Sequence, residues 1–166
     1  MNDFSKIYTA EELKNKTVTL VPLPMEESIM VPVAWALDLM SQGQNVLYFA
    51  FDHDSIKVNE FFKIALANYS KEEVDKVTGN IAIIDLHQIP ENTSWRMFFR
   101  DTIMEVKSEC ELNFVFFDVN KFIGSEQTEF CKTLRDISFM SMFTKFIATT
   151  AGAPVITAIQ DPKKAQ

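Results

Sequence analysis

Polar residues that could take part in catalysis or ligand binding stand where several apolar segments of this sequence end. In chain order they are Asp52, Asp118 and Gln160. If the apolar segments are strands of a parallel sheet, these residues meet at the carboxyl ends of the strands, where such sheets bind ligands. Their oxygens could then hold a nucleotide or Mg²⁺. The interpretation we favour is that they cap loops and helix N-termini.

Only weak candidates for a metal site lie at the carboxyl ends of the strands, which we call the rim. Asp52 and Asp118 are the carboxylates that could bind a divalent cation, and His53 could join Asp52 on the same ion. The chain has two histidines, the other being His87, so we do not expect a dedicated transition-metal site. We therefore predict no bound metal and no cofactor.

The apolar segments alternate with helical patterns along the chain. Strands are predicted at 17–21, 45–51, 81–86, 112–118 and 154–159, and helices at 29–40, 55–69, 70–77, 95–109 and 126–146, after a short N-terminal helix that begins near Thr9. Parallel strands joined by helical crossovers form a three-layer α/β sandwich. We predict one such domain over residues 1–166, with a mainly parallel five-stranded sheet.

Composition limits the partners and the compartment. The formal net charge is −7, which disfavours autonomous binding to nucleic acid. Cys110 and Cys131 lack the spacing of a metal or redox motif and lie in segments with a helical pattern, so we expect buried thiols. No apolar run is long enough to span a membrane, and the N-terminus lacks the pattern of a signal peptide. The expected location is cytoplasmic.

Three segments together carry a resemblance to a known family. Residues 44–52 read QNVLYFAFD, residues 114–118 read FVFFD, and residues 153–160 read APVITAIQ. In order and spacing the chain resembles the ATPase domain of DnaB-type replicative DNA helicases, which belong to the RecA-like P-loop NTPases. The resemblance covers about residues 16–160.

The resemblance implies roles for particular positions. Residues 21–28 would correspond to the Walker A phosphate loop, and Asp52 to the catalytic Glu of the family. Asp118 would correspond to the Walker B Asp, and Gln160 to the Gln that senses the nucleotide state.

The phosphate loop departs from the family pattern. Walker A requires G-x-x-x-x-G-K-[ST], because glycines let backbone amides wrap the phosphates and the Lys neutralises them. Here Val21 and Glu26 replace the glycines, Glu27 replaces the Lys, and Ser28 alone is retained. At about 4 Å and an effective dielectric near 20, replacing Lys by Glu turns about 4 kcal/mol of attraction into a similar repulsion.

Prolines remove further donors from this region. Pro22 and Pro24 lie in the expected loop, and Pro32 lies in the helix that follows. Because proline has no backbone N–H, each removes an amide that could bind a phosphate.

The sequence ends soon after Gln160, so the later strands of a helicase motor are expected to be absent. We therefore describe the predicted fold as truncated. Its first strand would be a sheet edge open to a partner. The edge residues are Thr17, Val18, Thr19, Leu20 and Val21.

The leading functional hypothesis is a pseudo-ATPase: a RecA-like scaffold kept for protein contacts or regulation. By analogy its partner would be a helicase or another replication or recombination protein, or a second copy of the chain. The first alternative is an ATPase with an altered phosphate loop, in which Ser28, Asp52 and Asp118 hold Mg²⁺ and Lys121 or Lys163 supplies the missing positive charge.

The second alternative is a module that binds single-stranded nucleic acid. Trp95, Phe98 and Phe99 alternate with Arg96 and Arg100, and such rings can stack on bases. With a net charge of −7 we favour the simpler interpretation, in which this is an amphipathic helix whose aromatic residues enter the core.

Overall fold

Strands and helices alternate in the computed structural model, which describes residues 18–23, 28–50, 53–118, 132, 136 and 144–151. The strands are β1 Val18–Leu23, β2 Val46–Ala50, β3 Ile81–Asp85, β4 Phe114–Asp118 and β5 Lys145–Ala151. The helices are α1 Met30–Met40, α2 Ser55–Ala67, α3 Lys71–Asp75 and α4 Trp95–Glu109, and a 3-10 turn spans Leu86–Gln88.

The described strands form one sheet in the order β1-β5-β4-β2-β3. Every neighbouring pair is parallel. The predicted α/β class with a parallel sheet is therefore confirmed. Among the strands that the structure describes, β1 pairs with β5 alone and so lies at the edge of the sheet.

Both faces of the sheet are covered, because successive residues of the central strands point to opposite sides. On one face, Tyr48 stacks on Phe116 with 5.8 Å between ring centroids, in a core that α1 and α2 share. On the other face, Phe49 stacks on Phe117 at 5.0 Å, in a core completed by Phe99 of α4. This arrangement is compatible with a three-layer sandwich.

Side-chain caps fix the starts of three helices. Asp54 accepts a hydrogen bond from the Lys57 amide at the start of α2, and Ser94 accepts one from the Met97 amide at the start of α4. Ser70 and Glu73 form the predicted capping box of α3. These caps satisfy amides that would otherwise lack a partner, so the helix starts follow the local sequence.

The amino ends of the central strands are joined through one side chain. The Asn45 side chain accepts from the Asn80 amide at 2.9 Å and donates to the Glu111 carbonyl at 2.7 Å. The Asn45 amide in turn donates to Asn113 Oδ1 at 2.8 Å. Asn45 therefore sets the relative position of the segments that lead into β2, β3 and β4.

Several predicted boundaries differ from the observed ones by one or two residues, and two of these differences concern the pairing of β1 with β5. β1 does not stop at Pro22 but continues to Leu23, since an edge strand tolerates a residue that lacks an N–H. The helix predicted to reach Phe146 is replaced at its end by β5, where pairing with β1 and β4 outweighs the local helical pattern. The strand predicted at 154–159 lies outside the described residues.

Candidate functional site at the carboxyl ends of the strands

The parallel strands bring several polar side chains to one edge of the sheet. The described polar residues near the strand ends include Ser28, His53, Asp54, Asp85, Asp118 and Thr149. This is the edge where parallel sheets bind ligands. Of the other site residues predicted from the sequence, Asp52, Glu26, Glu27 and Gln160 lie outside the described residues.

Asp118 ends β4, as predicted, and is buried, with 3% of its surface exposed. Its register partner on β5 is Thr149, which is also buried. The Thr149 hydroxyl donates to the Phe117 carbonyl at 3.4 Å. The fourth and fifth strands thus place a carboxylate beside a hydroxyl at the rim.

Ser28 and His53 come from different strand-to-helix connections and meet at this edge. Ser28 Oγ lies 3.4 Å from His53 Nε2, although the residues are 25 positions apart in the sequence. Ser28 is 7% exposed and His53 is half-buried. The contact links the connection after β1 to the connection after β2.

The environment of His53 favours its neutral form. Burial lowers the pKa of the imidazole below its ordinary 6.5, and the Lys57 ammonium lowers it further. The Asp54 carboxylate acts in the opposite direction but does not reverse the shift. At neutral pH the ring is uncharged, so one of its nitrogens can accept a proton.

Asp85 stabilises the opposite end of the rim. Its carboxylate accepts hydrogen bonds from the Ser55 amide at 2.9 Å and from the His87 amide at 3.0 Å. Burial alone raises the pKa of Asp85, but the hydrogen bonds from Ser55 and His87 outweigh burial and hold it below its usual value. The ionised carboxylate therefore holds the start of α2 against the end of β3.

Two described aspartates at this edge, neither of them among the predicted site residues, contact the start of α2. Asp54 accepts from the Lys57 amide as the N-cap of α2, and Asp85 accepts from the amide of Ser55, the first residue of the same helix. Such contacts satisfy backbone donors and need no ligand.

The predicted phosphate loop differs from the family pattern in its backbone as well as in its residue types. Val21, which stands at the first glycine position, lies inside β1 and pairs with Thr149. The strand continues for two further residues, and Leu23 is buried in the core. Only residues 24–29 therefore remain to connect β1 to α1.

The start of α1 has no side-chain cap and one amide fewer than an ordinary helix. Its N-cap residue is Ile29, which makes no side-chain cap hydrogen bond. Pro32 lies in the first turn and has no amide, as the sequence predicted. The helix is buried over most of its surface, and its first turn carries no acidic residue.

The aromatic and basic cluster of α4 is divided between core and surface. Phe99 is fully buried against Phe49 and Phe117, and Trp95 and Phe98 pack against the same core. The side chains of Arg96 and Arg100 are exposed. This agrees with the amphipathic-helix interpretation, because the rings that would stack on bases face the protein interior.

The structure also bears on the cysteine and membrane expectations. Cys110 is an exposed free thiol in extended backbone at the end of α4, so its predicted burial is wrong. Cys131 lies outside the described residues. None of the described helices has the length and apolar character needed to cross a membrane. The described side chains include no group of three or more His, Cys, Asp or Glu placed to hold a metal.

The sequence interpretation missed two features of this edge. Asp85 ends an apolar strand in the same way as Asp118, and that shared pattern could have identified it. The meeting of Ser28 and His53 depends on how two connections fold over the sheet, and no local pattern encodes it.

Neither a protein-family model nor a curated protein matches this sequence.

Proposed function

We propose that this chain is a non-hydrolysing relative of the RecA-like ATPases, with a five-stranded RecA-like sheet that serves protein contacts or regulation. The analogy with DnaB-type helicases suggests a role in DNA replication or recombination. Two features support the assignment: an Asp ends β4 at the rim, and β1 lies at the sheet edge where the family's later strands would continue.

The observation that carries the proposal is the course of β1 through the predicted phosphate loop. A phosphate loop needs a flexible turn directly after the strand, so that successive amides can face the phosphates. Here Val21 to Leu23 remain in the strand, and Leu23 is 1% exposed. The side chain of a core residue replaces the start of the loop.

The residues that follow reinforce this conclusion. Glu26 and Glu27 stand where the second glycine and the lysine would be, so the sequence places negative charge near the expected phosphates. Helix α1 then begins without a side-chain cap and with a proline in its first turn. The acidic residues and the missing Pro32 amide both weaken an anion site, because such sites depend on positive charge and amide donors.

We expect Mg-ATP and Mg-ADP at millimolar concentration to leave the melting temperature unchanged. A ligand present at 100 times its dissociation constant stabilises a protein by about 2.7 kcal/mol, which thermal melting detects easily. The matched control is Asp118→Asn, which removes the carboxylate that a Mg-nucleotide would need. A nucleotide-dependent rise in melting temperature that Asp118→Asn abolishes would favour the ATPase with an altered loop instead.

The contact surface that we propose is the edge of β1 with which no other described strand pairs, which we call the free edge. Its predicted residues Thr17, Val18, Thr19, Leu20 and Val21 fall in or next to the observed strand, although Thr17 itself lies outside the described residues. An edge strand presents backbone N–H and C=O groups that can pair with a strand from another chain. The partner would be a replication or recombination protein or a second copy of this chain.

We expect the protein to associate through this edge. Proline substitutions at neighbouring positions of β1 distinguish the amides that face β5 from those that face outward. Successive amides along a strand point to opposite neighbours. Of Val18→Pro and Thr19→Pro, one therefore removes a β1–β5 hydrogen bond and the other removes a donor on the free edge. Light scattering across a concentration series should show weaker association in one variant, with little change in its melting temperature.

Hydrogen exchange is the measurement that can contradict the edge proposal. If the protein stays monomeric at every concentration and all amides of β1 are protected, the edge is already covered within the chain. The proposed contact surface would then be abandoned, whatever the outcome of the nucleotide experiment.

A further inference from the structure

We propose that Ser28 is a nucleophile and His53 its general base, and that together they react with small carboxylic esters. The proposal goes beyond the scaffold function and is independent of nucleotide binding. It starts from the contact between Ser28 Oγ and His53 Nε2, which are 3.4 Å apart. In nucleophilic catalysis a serine hydroxyl and an imidazole nitrogen lie in this relation, often at longer range before substrate binds.

The position of the pair suits such a reaction. Both residues follow strands of a parallel sheet at their carboxyl ends, which is where these folds place reacting groups. Ser28 is held in place by burial, whereas His53 keeps part of its surface exposed. A fixed nucleophile beside a partly accessible base can lie against a substrate that enters from the rim.

The protonation state of His53 is the one that a base requires. Burial and Lys57 disfavour the imidazolium, so the ring is neutral at pH 7 and can take a proton from Ser28. Among the described residues, Asp54 and Lys57 are the charged groups that act on the ring. The Asp54 carboxylate accepts from the Lys57 amide at 2.7 Å, so one of its oxygens already caps α2.

The proposed reaction is acyl transfer. Ser28 Oγ attacks the ester carbonyl carbon while its proton moves to His53 Nε2, and a Ser28–acyl bond forms. The bond from the carbonyl carbon to the alcohol oxygen breaks, and the alcohol leaves with the proton from His53. Water then attacks the acyl group with His53 as base, which releases the carboxylic acid and restores Ser28.

The test uses phenylmethanesulfonyl fluoride, with which an activated serine forms an S–O bond as fluoride leaves. Intact mass and peptide mapping should find one added group per chain, on Ser28. His53→Gln should slow labelling by about 100-fold or more, the usual loss when a general base is removed. The control is His87→Gln, which changes the chain's other histidine at an exposed position and should label at the wild-type rate.

The wild-type protein alone provides a second measurement, in case a variant does not fold. Labelling should increase with pH as the His53 ring loses its proton, with a midpoint below the 6.5 of an ordinary histidine. A burst of nitrophenolate from p-nitrophenyl acetate, with acetyl found on Ser28, would support the same assignment. The proposal is overturned if Ser28 remains unlabelled, if His53→Gln labels as fast as wild type, or if the rate is independent of pH between about 5 and 8.

Discussion

Phe49→Ala is expected to destabilise the protein by about 3–5 kcal/mol, the usual cost of removing a buried aromatic ring. Phe49 is 0% exposed and lies where three elements meet. Its ring stacks on Phe117 of β4, with 5.0 Å between the ring centroids. The centroids of Phe99 and Phe98 of α4 lie 4.8 Å and 6.4 Å from that of Phe49. The truncation leaves a cavity that neither the sheet nor the helix can easily close.

Thermal and urea unfolding measure this loss. For a domain of this size, 3–5 kcal/mol corresponds to a decrease in melting temperature of roughly 6–20 °C. Met97→Ala is the control on the same helix layer, because Met97 is 50% exposed and should change stability by less than about 1 kcal/mol. Equal losses from the two substitutions would show that α4 does not pack on the sheet as described.

Gly79→Ala is expected to be the second severe substitution, at about 3 kcal/mol or more. A Cβ at position 79 would lie 1.9 Å from the Gln44 carbonyl oxygen and 3.0 Å from Met40 Cα. Both neighbours are backbone atoms, so no side-chain rotation can relieve the overlap. The Gly79 amide also donates to the Met40 carbonyl at 3.0 Å, which holds the two segments together.

Gly43→Ala is the matched control, because it tests the cost of an unfavourable backbone conformation, whereas Gly79→Ala tests a steric overlap. Its φ of +77° lies in the left-handed region, but an added Cβ would meet Thr78 Oγ1 at an ordinary 3.6 Å. Gly43→Ala should therefore cost about 1 kcal/mol. If unfolding in urea ranks Gly43→Ala as the more damaging change, the close approach of Gly79 to the α1–β2 turn is not present in solution.

Local patterns were sufficient for most of the described elements. The helix predicted over 95–109 has the bounds of α4, and the capping box at Ser70 begins α3 as expected. Strands β2 and β4 are buried along their whole length and read as continuous apolar runs. In each case the local signal and the tertiary environment favour the same structure.

The prediction failed where neighbouring strands determine the structure. Residues 145–146 carry a helical pattern, yet they begin β5 because β1 and β4 both supply hydrogen-bonding partners for it. The extension of β1 to Leu23 has the same cause, since β5 pairs with it along its whole length. Such long-range pairing has no signature within a short window of sequence.

The candidate site was predictable only in part. Asp118 was placed correctly, because an acidic residue that ends an apolar run indicates the carboxyl end of a strand. The pairing of Ser28 with His53 was not, because it needs the relative position of two connections that lie far apart in the sequence. The same limit applies to the contact between Asp85 and the Ser55 amide, which forms only once β3 lies beside β2.

The neighbouring positions of β1 and β5 have a consequence during synthesis. Val18 pairs with Phe146, so the first described strand finds its neighbour among the last described residues. The ribosome makes β1 before β5, so β1 cannot pair with β5 until β5 has emerged, whereas β2, β3 and β4 can assemble before then. While residues 24–144 are being made, the growing chain therefore carries β1 without the strand that it pairs with in the fold, and in that period β1 can pair with the wrong chain.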